Sequence, residues 1–133
     1  GFGFYQVTQH NGRRCSAAAA FLKPAAQRPN LTVLTAAHTT KIRIEGRRAT
    51  GVEFGHRRTV KVARAEREVV LCGGAINSPQ LLMLSGIGPA DHVKQFGIEV
   101  VADVPGVGAN LQDHVVAGAY YHCTQRVTLE TWA

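Results

Sequence analysis

The stretch that most constrains this chain is Val69-Val70-Leu71-Cys72-Gly73-Gly74-Ala75, followed by Asn77-Ser78-Pro79 and the apolar segment QLLMLSGIG. Four apolar residues without alternation read as a strand buried on both faces, as in a parallel sheet. Gly-Gly-Ala then supplies a turn of small residues. Ser78 suits the N-cap of a helix and Pro79 its first position, where a missing N–H costs nothing. Gly86 and Gly88 close the helix. A strand-to-helix passage of this kind leaves backbone N–H groups free and lets a ligand approach the main chain. It does not have the GxGxxG spacing of a dinucleotide fingerprint, which occurs nowhere in the chain.

Upstream, Ser16 can cap an alanine-rich helix running to Gln27, limited by Pro24. LTVLT predicts a strand from Leu31 to Thr35. In KIRIE, Ile42 and Ile44 alternate with Arg43 and Glu45, as a half-buried strand requires. Turns at Gly46-Arg47 and GHRR lead into ATGVEF and TVKVARA, so three short runs at hairpin spacing predict an antiparallel meander. Downstream, a short helix from Ala90 to Phe96 ends at Gly97, before extended IEVVADV and a turn at Pro105–Gly108. The expected class is α/β in the mixed α+β sense: a meander, one buried parallel-type strand and short helices.

A chain of 133 residues is long enough for one domain. Its 15 basic and 9 acidic residues give a net charge of +6, which raises a nucleic-acid reading. The arginines fall in scattered pairs (Arg13-Arg14, Arg47-Arg48, Arg57-Arg58) without interleaved aromatics, so a solvated surface and no nucleic-acid partner are expected. No apolar run approaches a membrane span, and GFGFYQVTQ lacks the features of a signal peptide. Cys15, Cys72 and Cys123 form neither a disulfide framework nor a zinc spacing, so a reducing, cytoplasmic setting is expected, with Cys72 as a small buried hydrophobe. His10, His38, His56, His92 and His122 lie in no metal or hydrolase motif. Ser85 reads as a helix end.

A second cluster, Gly106-Val107-Gly108 followed by Asn110-Leu111-Gln112-Asp113-His114, places an amide pair, a carboxylate and an imidazole close together. Adjacent side chains diverge in extended or helical backbone, so Asp113 and His114 read as tying a loop down beside a ligand, not as a catalytic dyad. GGAINSPQLLMLSGIGP followed by PGVGANLQDH resembles the second signature of the glucose-methanol-choline oxidoreductases and the loop beyond it. GRRCSAAAAFLKPAAQRPNLTVLTAAHTTKIRIEGRRATGVEF and EREVVLCGG resemble the same family's intervening segments, in the same order. The resemblance runs from about Tyr5 to about Leu129.

FYQVTQHNGRRCS and NSPQLLMLSGIGP are most similar to the choline and aliphatic-alcohol dehydrogenase branch, which passes hydride from an alcohol to FAD. The resemblance implies FAD as cofactor and a small-molecule alcohol as substrate of the parent protein. It puts Thr39 where relatives, usually with valine, hold the adenine end through the main chain. It also sets Cys72, Gly73 and Gly74 beside the adenosine, and Asp113 and His114 near the flavin as supporting residues. The family's GxGxxG unit, its ribose-binding acid and its catalytic histidine segment are not in these residues, and LETWA does not continue the pattern. The expectation is therefore an interior, truncated piece of the FAD-binding domain over residues 1–133, inactive alone. A non-catalytic binding module derived from the same fold is the alternative.

Overall fold

The computed structural model describes residue 3, residues 6–119 and residues 124–125. The chain opens with a two-residue hairpin, β1 (Gln9–His10) against β2 (Arg13–Arg14). The predicted alanine-rich helix follows as a π-helical stretch, Ala18–Leu22, running into α1 (Lys23–Ala25). Ser16 caps it as expected, its Oγ accepting the Ala19 N–H at 3.3 Å. A proline ring collides with the carbonyl four residues back, and widening to the π form just before Pro24 relieves that collision.

The centre is the antiparallel meander β3 (His38–Glu45), β4 (Arg48–His56) and β5 (Thr59–Arg64), in the order β3-β4-β5. Its inward face follows the predicted alternation. Ile42 pairs with Val52, and Ile42 and Phe54 are buried. The ladder between β3 and β4 slips between Thr39 and Lys41, a bulge at which Thr40 Oγ1 donates to the Glu53 carbonyl at 3.4 Å. Arg57 and Arg58 at the β4–β5 turn both take positive φ, 49° and 64°, the conformation a two-residue hairpin needs to match strand twist.

Helix α2 (Gly74–Leu84) packs on β3. It begins earlier than the sequence predicts, which puts Pro79 inside the helix instead of at its first position. Ser78 does not cap forward; its Oγ reaches back to accept the Gly73 N–H at 3.0 Å. The chain then forms β6 (Ile87–Gly88), α3 (Ala90–Gln95) and β7 (Ala102–Asp103), with β6 and β7 parallel. Asp103 Oδ1 accepts the Ala90 N–H at 3.0 Å and so supplies from β7 the cap that Pro89 cannot give α3. Asp103→Ala is expected to cost about 1 kcal/mol, read from urea unfolding. Buried Val93 of α3 completes a second small cluster near Met83 and Gly88.

The mixed class and the meander are as expected, and the parallel pairing lies at β6–β7. Two predicted strands differ. Residues 31–35 and 69–72 form no ladder among the described residues. Along 69–72 the chain shows alternate residues to solvent: Val69 and Leu71 are half-buried, while Val70 and Cys72 are exposed. Cys72 is thus a free, exposed thiol and not a buried hydrophobe. A two-sided buried strand needs a neighbour on each edge and a layer on each face, and the described residues supply only one wall.

Candidate functional site

Between the start of β3 and α2 lies a cleft of about 500 Å³. Its floor is the extended segment Val69–Gly73. His38 and Thr39 form one wall; Asn77, Ser78, Leu81 and Leu84 of α2 form the other. Thr39 sits here because β3 starts beside the bulge. Cys72 and Gly73 sit here because the chain turns from extended backbone into α2.

Small residues shape this turn. A Cβ on Gly73 would lie 3.1 Å from the Asn77 Cβ and 3.1 Å from the Ser78 N, so a larger residue would crowd the turn. Gly74 takes φ +79°, a region that glycine enters without steric cost, and its α-carbon faces open space. The walls are mostly apolar, with a few polar atoms from Thr39, Asn77, Ser78 and Gln80. That mixture is the ordinary lining of a small-molecule cleft.

The second glycine cluster packs on another face of the same helix. Gly108, at φ +78°, lets the chain pass so close that a Cβ there would meet the Met83 Cε at 3.3 Å and the Pro79 Cβ at 3.9 Å. Ile76, Pro79 and Met83 meet Gly108–Gln112 in a separate cleft of about 500 Å³. Asn110, at φ 59°, turns the chain onward, and Asp113 and His114 beyond it are exposed. The Asp113 carboxylate accepts the His114 backbone N–H at 2.7 Å, a local turn contact that leaves the imidazole out of the pair.

The structure therefore brings Thr39, Cys72 and Gly73 into one cleft; Gly74, Asp113 and His114 do not line it, and Gly108–Gln112 pack on another face of α2. Val52, Asn77 and Gln80 join the cleft without having been expected as site residues, since nothing local marks them as such. Ser78 and Ser85 were legible only as helix ends. His122 and Cys123 lie outside the described residues. Among those residues, no three His, Cys, Asp or Glu side chains gather as a metal set, and no helix is long and apolar enough to cross a membrane.

Comparison with known proteins gives a consistent picture. The GMC oxidoreductase family profile matches residues 1–116. An oxygen-dependent choline dehydrogenase of Brucella ovis is 56% identical over 129 residues, which is 97% of this chain and 23% of that protein. The mitochondrial choline dehydrogenase of Homo sapiens is 50% identical over 131 residues, 98% of this chain and 22% of that protein. The chain thus spans less than a quarter of the length of these relatives. Among solved structures, pyridoxine 4-oxidase from Mesorbium loti superposes with a TM-score of 0.67 at 39% identity, over 73% of this chain and 19% of that one. An FAD-dependent oxidoreductase from Chaetomium thermophilum gives a TM-score of 0.66 at 32% identity, over 70% of this chain and 16% of that one.

Proposed function

Because the chain belongs to the GMC oxidoreductase family, we propose that it is part of the FAD-binding domain of a flavin-dependent dehydrogenase that oxidises choline or a related alcohol to the aldehyde. The observation that carries this reading is the convergence of Thr39, Cys72 and Gly73 on one cleft with apolar walls. Bound FAD supplies the hydride acceptor for the alcohol carbon. The residues of this chain bind and orient its adenosine end.

The backbone at Thr39 meets the adenine edge, which makes threonine as serviceable there as the family's usual valine. Gly73, with no side chain, would permit close approach of the ribose to the main chain, and Leu81 and Leu84 would offer the base an apolar wall. On the family resemblance, Asp113 and His114, in the loop beyond the Gly108–Gln112 segment that packs on α2, would act in support near the flavin end. On this reading the chain alone is inactive, because it carries neither a GxGxxG unit nor the catalytic-histidine segment that the resemblance implies. Reaction requires the alcohol, the hydride acceptor and a positioned base to be held together, and this chain contributes only to holding the acceptor.

Cys72 offers a direct test because its thiol is exposed at the cleft. In a Cys15→Ser/Cys123→Ser background of the whole flavoprotein, stripped of flavin, ADP is expected to slow modification of Cys72 by a disulfide reagent about tenfold, since bound nucleotide removes attacking access. An unchanged rate at saturating ADP would remove the adenosine assignment.

A further inference from the structure

Ser85 is the buried polar side chain among the described residues, 1% exposed, and it joins two elements that nothing else polar connects. Its Oγ accepts the Ile42 N–H of β3 at 2.8 Å and donates to the Leu81 carbonyl of α2 at 2.6 Å. β3 is an edge strand of the meander, so its Ile42 N–H points away from β4 and has no strand to receive it. A buried N–H must find an acceptor, and the Ser85 hydroxyl is the one present.

The position of this bond matters more than its strength. The β3–β4 ladder is bulged between Thr39 and Lys41, with Thr39 still paired to Phe54, so the stretch of β3 that carries Thr39 is set both by pairing with β4 and by what holds β3 against α2. Ile42 is the first residue beyond that slip in the restored register whose N–H is tied to α2. Leu81, the other partner, lines the cleft. Ser85 therefore ties β3, just past the bulge, to the α2 turn that carries Leu81, and so holds one cleft wall against the other.

We propose that Ser85 is a positioning residue for the adenosine end of the cofactor: it sets the separation between the Thr39 backbone and the Gly73–Leu81 wall. The proposal rests on the adenosine assignment made above. Its consequence is that loss of the hydroxyl widens or loosens the cleft and weakens nucleotide affinity, without Ser85 touching the nucleotide.

The test uses the whole flavoprotein as apoprotein, titrated with FAD and separately with ADP. Ser85→Ala is expected to weaken both about tenfold, the loss of a bond of ordinary strength expressed as affinity. Ser85→Thr, which keeps the hydroxyl, is expected to restore most of it. Val93→Ala serves as reference, because Val93 is buried on α3 and lines no part of the cleft; it should lower the melting temperature and leave both affinities unchanged. In the wild type, ADP should slow hydrogen exchange at the Ile42 amide, a readout that needs no variant to fold. Wild-type affinity in Ser85→Ala, equal losses in Val93→Ala, or Ile42 exchange indifferent to ADP would each overturn the positioning role. A wild-type apoprotein that binds neither nucleotide would instead overturn the adenosine assignment, and the role with it.

Discussion

Gly86→Ala is expected to destabilise the fold by about 3 kcal/mol, combining the cost of a left-handed conformation for an L-residue with overpacking. Gly86 has φ +86°, and a Cβ there would collide with the Glu99 carbonyl oxygen and lie 2.9 Å from the Val101 Cγ2. The backbone cannot move aside. The Gly86 carbonyl already accepts the Val101 N–H at 2.8 Å and the Ala102 N–H at 3.1 Å, which holds the β6–β7 connection against the end of α2. Gly97 provides the control: its φ is +68°, but a Cβ there meets nothing within 4 Å. Gly97→Ala should therefore cost only about 1 kcal/mol, the conformational part alone. Urea unfolding of the two variants separates the terms, and equal losses would show that the Glu99 contact does not matter.

The 133-residue chain on its own is expected to bind FAD at least about 1,000-fold more weakly than the whole flavoprotein, seen as absence of stoichiometric yellow colour and of saturable flavin-fluorescence quenching. Charge-assisted hydrogen bonds contribute about 1.5–3 kcal/mol each, and no GxGxxG loop is present here to make them to the pyrophosphate, so two such bonds account for the difference. The described residues also supply few covering layers. Its buried apolar side chains among the described residues are Ile42, Phe54 and Val93, while Phe21 is 75%, Val70 70% and Phe96 67% exposed. So small a core leaves little beyond the cost of ordering the backbone, and the isolated chain should bind a hydrophobic dye and unfold with weak cooperativity. A purified chain that is yellow at one flavin per molecule would refute the expectation.

Local geometry was legible in the sequence wherever neighbours along the chain control it. The alternation in KIRIE placed Ile42 inward, GHRR marked a hairpin, Ser16 marked a helix start, and Gly86 and Gly97 marked helix ends, because strand pleat, turn conformation and capping each depend on a few consecutive residues. The order of the two glycine clusters also sufficed to identify the family, which the match over residues 1–116 bears out.

Other features depended on partners distant in the chain. Leu31–Thr35 and Val69–Cys72 have strand composition, but a ladder requires a second strand, and their apolar pattern carries no information on whether one is at hand. The N–H of Gly73 drew Ser78 Oγ backward, so α2 began before Pro79 instead of at it. The apolar run Val69–Cys72 led the sequence to predict a buried Cys72, yet its thiol is exposed and lines a cleft, since burial is decided by what covers a face and not by what lies along it. Ser85 read only as a helix end, yet across a separation of 43 residues it meets Ile42. What the sequence by itself determined is the set of elements and their turns; which walls face each other, and how far apart they stand, was decided by the tertiary structure, because only there do edge N–H groups and side-chain hydroxyls find one another.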